Sequence, residues 1–165
     1  KISEKSEFSW LDGEGALAML GVGLCEKAVV YATAGSDYAH THKTILLPVR
    51  RGFGLLDEIK RADDKYSLGG GGIFTRQAID YVCKQEQGIP DRLIVLSDSQ
   101  DCDLPDRKVP SPFAKRNYII NVSSHAHGVA YRGIWDAEID GWSEKFIPFI
   151  AGLEGLSLEQ SDEEQ

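Results

Sequence analysis

Arg92-Leu93-Ile94-Val95-Leu96-Ser97-Asp98-Ser99-Gln100-Asp101 is the stretch on which the fold turns. Its unbroken aliphatic run reads as a strand buried on both faces, as strands of a parallel sheet covered by helices do. The run stops at Ser97 and Asp98. In open parallel sheets, ligands bind beyond the carboxyl ends of the strands. A carboxylate at that point suits a hard cation, because Mg²⁺ and its like take oxygen donors. The plainer reading is that Asp98 starts a turn.

Upstream, Phe74 to Glu86 has helical spacing, with Ala78, Ile79, Val82 and Cys83 on its inner face and Gly88 and Pro90 ending it. Gly69-Gly70-Gly71-Gly72 leads into this helix. Such a loop lets the backbone pass close to a ligand and presents amides at a helix N-terminus. Thr75 supplies a hydroxyl there, or simply caps the helix. Further upstream, residues 11–26 read as a helix with Leu17, Leu20 and Leu24 in register and Asp12 as N-cap. Ala28 to Ala34 and Lys43 to Val49 read as strands, the second an edge strand because of Pro48, and Gly54 to Arg61 as a helix.

Downstream, residues 101–114 read as a polar surface loop, Tyr118 to Val122 as a buried strand and Ile134 to Ile139 as a last, partly exposed one. Trp142 to Leu153 carries the stripe Phe146, Phe149, Ile150 and Leu153; either Pro148 kinks this helix or the helix is shorter than the pattern. Strands alternating with helices predict an α/β fold: a three-layer, Rossmann-like, mostly parallel sheet with helices on both faces.

A glycine loop with a threonine, then a helix, then an apolar strand ending in aspartate resembles two of the three metal loops of von Willebrand factor A domains. In that family Mg²⁺ or Mn²⁺ sits at a metal-ion-dependent adhesion site and binds a carboxylate of a protein partner. The resemblance implies Asp98 as the ligand of the third loop. In many members the second-loop threonine directly follows the glycines, where this chain has Ile73. Either the loop is lengthened and Thr75 takes the role, the reading preferred here, or the threonine ligand is lost; isoleucine cannot bind Mg²⁺.

The family's first loop, Asp-x-Ser-x-Ser at the end of a central first strand, does not occur in these residues. Lys1 to Trp10 hold no apolar strand. The resemblance therefore implies a chain lacking that strand, with two interior sheet edges left unpaired and the metal site incomplete.

Gly72-Ile73-Phe74-Thr75-Arg76-Gln77, Tyr118-Ile119-Ile120-Asn121-Val122, His127-Gly128-Val129-Ala130-Tyr131 and Ile139-Asp140-Gly141-Trp142-Ser143-Glu144 are similar to one branch, the bacterial Ro (TROVE) proteins. There the A domain follows a ring of helical repeats that binds non-coding RNA. That ring is not in this chain. The resemblance implies a ribonucleoprotein's binding module and no enzyme.

Bulk composition fits. The 165 residues suit one domain, expected over 1–156, with an acidic, disordered tail over 157–165. The net charge is −8, and without the tail's four acids it is −4. Phosphate binding is driven by Lys and Arg, so this chain is not expected to be the RNA-binding surface itself. Cys25, Cys83 and Cys102 form no CxxC pair; free thiols, with Cys25 and Cys83 buried, are expected. No transmembrane stretch and no signal peptide is visible, so a cytoplasmic setting and no membrane partner are expected.

Other chemistry fits less well. Gly13-Glu14-Gly15-Ala16-Leu17-Ala18 imitates a dinucleotide fingerprint, with Asp37 about 20 residues on. That motif must follow a buried strand, and the residues before it are polar. It supports the alternative, a Rossmann-like nucleotide-dependent enzyme using the same crevice. The pairs His40/His42 and His125/His127 lack a cysteine partner for zinc and read as loop histidines.

Overall fold

The computed structural model describes residues 9–98, 101–103, 111–122, 133–141, 143 and 145–156. The expected tail, His125 and His127, residues 127–131 and Trp142 lie outside them. The elements run α1 (Trp10–Leu24), β1 (Tyr31–Ser36), β2 (Thr41–Leu46), α2 (Phe53–Lys60), α3 (Ala62–Tyr66), α4 (Thr75–Gln85), β3 (Arg92–Ser97), β4 (Arg116–Asn121), β5 (Ala137–Asp140) and α5 (Phe146–Leu153).

The chain is mixed α/β. β3, β4 and β5 form a parallel sheet in that order, with Val95 opposite Ile119 and Ile120 opposite Ile139. Helices cover both of its faces. On one, Leu17 and Leu20 of α1 and Phe146 and Ile150 of α5 pack on Ile94, Leu96, Tyr118 and Ile120. On the other, Ile79 of α4 packs with Ile119, Trp135, Leu93 and Val95. Alternate residues of each strand face opposite sides, so one aliphatic run serves both helix layers.

The first two strands depart from a mostly parallel sheet. β1 and β2 form a separate antiparallel hairpin, with Gly35 opposite His42. Leu47 N–H donates the last rung to Val30 O at 2.9 Å, and Pro48, which has no N–H, lies just past it. The hairpin's apolar side packs on Ile59, Ala62 and Tyr66. No strand pairing joins the two sheets among the described residues; helices do. α4 reaches the hairpin through Tyr31, whose hydroxyl donates to Glu86 at 2.6 Å and whose ring meets Tyr81 edge-on at 6.4 Å. α1 packs on both α2 and β3.

β3 pairs only with β4 among the described strands, and this changes its burial. Leu93 to Leu96 are half-buried, whereas Tyr118, Ile119 and Ile120 on β4 are at most 3% exposed. The fully buried strand expected from the aliphatic run is therefore an edge of its sheet.

Helix ends differ from expectation in instructive ways. Ser9, not Asp12, caps α1: Asp12 N–H donates to Ser9 Oγ at 3.1 Å, and Ser9 N–H donates back to Asp12 at 2.8 Å. This reciprocal box needs the acid three residues inside the helix, where Asp12 stands. Lys60 Nζ lies 2.7 Å from Asp12, pinning α2 to the start of α1. Gly15 permits that closeness, since a Cβ there would stand 2.4 Å from Leu56 Cδ1.

Of the two readings of the last helix the shorter one holds: α5 starts at Phe146, so Pro148 lies in its first turn. It occupies the third helical position, where the missing N–H would have had no intrahelical acceptor. Cys25 is half-buried and Cys83 exposed, because α4 turns Ile79 and not its last turn to the sheet. No helix among the described residues is long and apolar enough to cross a membrane.

Candidate functional site

Asp98 directly follows β3, at its carboxyl end, and is half-buried. Thr75 is the first residue of α4 and is 8% exposed. Its hydroxyl is not the N-cap, because Phe74 holds that position without a side-chain oxygen to offer. The first amides of α4 therefore need acceptors from elsewhere.

The loop that starts at Asp98 supplies them. Thr75 N–H donates to Asp101 Oδ1 at 3.3 Å, and Arg76 N–H donates to Asp103 Oδ2 at 2.9 Å. Gln77 Nε2 donates to Asp103 Oδ1 at 2.8 Å, and Arg76 Nη2 stands 3.8 Å from the same oxygen. Within the loop, Asp103 N–H donates to Asp101 Oδ1 at 3.2 Å, and Cys102 N–H donates to Ile73 O at 2.6 Å. Two carboxylates at a helix N-terminus satisfy orphan amides and favour the helix dipole. Asp98 and Thr75 thus belong to two segments stitched together over three consecutive residues.

Asp103 is 1% exposed, so the stretch expected as a surface loop starts with one of the most buried polar groups in the fold. Sequence reasoning passed over Asp101 and Asp103 because polar residues beside prolines look solvated. The available signal was the Asp-x-Asp spacing combined with a helix whose first turn lacks a capping side chain.

The glycine loop has a different use from the one expected. Gly69 and Gly70 have φ near +112° and +114°, a region glycine enters without strain. Their amides donate to Asp63 Oδ1 at 3.1 and 3.3 Å, so they are taken by the protein itself. Gly72 N–H donates to Gly35 O at 2.8 Å, docking the loop on the hairpin. The loop holds Phe74, 1% exposed, between that hairpin and α4.

Ionisable neighbours gather around this end of the sheet. Glu14, from the first half of α1, is held largely out of water, and burial with the nearby Asp98 charge raises its carboxyl to about 7. His42 contacts Thr44 Oγ1, and its ring lies 6.3 Å from Phe74. Burial lowers its pKa, and the charge of Asp103 opposes this. His40 lies exposed in the hairpin turn at φ 49°, whereas His42, expected in a loop, is half-buried on β2.

The donors suit a hard cation in kind. Asp98 offers carboxylate oxygens and Thr75 a hydroxyl. Asp101 Oδ2 is shielded from solvent with no hydrogen-bond donor among the described residues, a condition a cation relieves. No group of three or more His, Cys, Asp or Glu side chains converges among the described residues. Mg²⁺ does not require one, since one or two carboxylates with several waters commonly hold it.

The G-x-G-x-x-A look-alike, Gly13 to Ala18, is helical throughout, and Gly13 N–H is spent on Ser9 O at 3.2 Å. It offers no phosphate-binding turn. No family model matches this chain, and no curated protein or solved structure is significantly similar to it.

Proposed function

We propose that this chain is a divalent-cation-dependent protein-binding module of the von Willebrand factor A type, from a cytoplasmic Ro-like ribonucleoprotein, and that it is not an enzyme. The observation that carries the reading is the joining of the loop after β3 to the start of α4, which puts Asp98 and Thr75 in adjoining segments at the sheet's carboxyl end. There Mg²⁺ or Mn²⁺ is held by oxygen donors and waters and captures a carboxylate from a protein partner. The cation serves recognition only, so no bond is broken.

Two further features support it. β1 and β3 each lack a strand partner on one side among the described residues, apart from the Gly35–Gly72 bridge, and α4 packs on both sheets. A central strand between β1 and β3 is what this family requires. The three unpaired cysteines accord with a reducing compartment. RNA belongs to a helical-repeat ring outside these residues. The nucleotide-enzyme alternative loses its main support with the helical Gly13–Ala18 segment.

The test is Mn²⁺ titration of the intact protein, followed by the spin resonance of free Mn²⁺, beside Asp98→Ala and Thr75→Ala. Asp98→Ala is expected to weaken binding about tenfold or more, and Thr75→Ala less. Equal affinity in wild type and Asp98→Ala would remove Asp98 from the site and sink the reading.

A further inference from the structure

We propose that Asp103 is the positioning residue of the cation site, acting through Thr75. This rests on the reading of Asp98 and Thr75 as ligands and adds a residue that nothing in the sequence pattern assigns.

Asp103 is 1% exposed, and the contacts around its carboxylate fall on two consecutive residues of one helical turn. Arg76 N–H and Gln77 Nε2 hydrogen-bond to its two oxygens at 2.9 and 2.8 Å, and the Arg76 guanidinium stands 3.8 Å away. These donors belong to the two residues directly after Thr75. Behind Asp103, its own amide and that of Thr75 share Asp101 Oδ1. Cys102 N–H grips Ile73 O, two residues before Thr75.

The start of α4 is therefore held on both sides of Thr75 by the loop that leaves β3 at Asp98. Phe74, the N-cap, makes no side-chain hydrogen bond that could do this locally. Asp103 thereby fixes where the first turn of α4, and the Thr75 hydroxyl with it, sits against residues 101–103. Buried, charge-assisted hydrogen bonds with two donors keep their geometry better than a single exposed cap. Groups one shell out from a metal typically control its affinity to a degree similar to weak ligands.

A double-mutant cycle in the full chain tests this, reading Mn²⁺ dissociation constants for wild type, Asp103→Asn, Thr75→Ala and the double variant, with thermal melts alongside. Asparagine keeps the size of Asp103 but removes its charge and one acceptor. Asp103→Asn is expected to weaken Mn²⁺ by several-fold, and no more than Thr75→Ala does. The double variant is expected to bind no more weakly than Thr75→Ala alone, since Asp103 has no route to the ion once the hydroxyl is gone.

A purely structural Asp103 gives additive losses instead, and additivity or an unchanged affinity in Asp103→Asn overturns the proposal while leaving Asp98 as a ligand. Absence of Mn²⁺ binding by wild type overturns the cation site itself, and this inference with it. Should Asp103→Asn not fold, Gln77→Ala, which removes one side-chain donor, is judged by the same cycle with Thr75→Ala.

Discussion

Replacing Gly35 by alanine tests how the hairpin, the glycine loop and α4 depend on one close approach. A Cβ on Gly35 would stand 2.1 Å from Thr41 O and 2.6 Å from Phe74 Cε2. The carbonyl belongs to the backbone of the paired strand, so no rotamer change relieves the clash. Restoring ordinary contact needs a displacement of roughly 1 Å or more. Overpacking of this kind costs about 1–3 kcal/mol. Losing the Gly72–Gly35 hydrogen bond, 2.8 Å long, adds about 1 kcal/mol.

The sum, roughly 2–4 kcal/mol, is a large part of the 5–15 kcal/mol that about holds a domain folded. For a chain of this length it lowers the melting temperature by roughly 5–15 °C. Gly71→Ala is the control, because nothing lies within 4 Å of a Cβ there. It is expected to stay within about 0.5 kcal/mol of wild type. Thermal and urea unfolding followed by circular dichroism measures both variants. If Gly35→Ala melts together with Gly71→Ala, the proposed docking of the glycine loop on the hairpin is wrong.

Other perturbations separate the remaining contacts. Glu14 has a folded value near 7 against 4.5 in the unfolded chain, so its contribution to stability is full below pH 4.5 and is lost as pH rises through 7. Glu14→Gln is expected to be more stable than wild type at pH 8 and little different at pH 4; identical urea midpoints at pH 8 count against a desolvated Glu14. Glu154 accepts from Tyr118 Oη and from Arg92 Nε, both at 2.8 Å. The Arg92 hydrogen bonds chiefly hold its carboxyl below the ordinary range, so this support is present above about pH 4.5 and fades as pH falls. Glu154→Ala leaves the buried Tyr118 hydroxyl without its acceptor and is expected to cost about 2 kcal/mol, more than Tyr118→Phe, which leaves no orphaned donor; the reverse order in urea unfolding refutes the network. Ser9→Ala removes the cap of α1 and is expected to cost about 1 kcal/mol, read from the same unfolding curves.

Much of the fold was legible because it is written locally. The aliphatic run Leu93 to Leu96 marked a strand of a parallel sheet, and its end marked Asp98. Helical spacing located α1, α2 and α4 to within a few residues, and Ile79, Leu17, Phe146 and Ile150 were already on their inner faces. Such patterns depend only on a residue's neighbours three, four or two positions away. The same periodicity cannot say which surface an apolar face will meet. Leu24 and Phe149 share stripes with core residues yet are 65% and 52% exposed.

Asp98 and Thr75 could be picked from the sequence because a strand end and a helix start are positions with known chemical use. What only the tertiary structure decided is how those positions are joined. The capping of α4 by Asp101 and Asp103 spans 26 and 27 residues, and the effect of the Asp98 charge on Glu14 spans about half the chain. The separation of the hairpin from the parallel sheet, which leaves Leu93 to Leu96 half-buried, is equally invisible in a residue's own neighbourhood. A one-dimensional pattern specifies which groups want burial or a hydrogen-bond partner. Which partner satisfies them is set by where the chain returns, and that depends on the packing of all the elements at once.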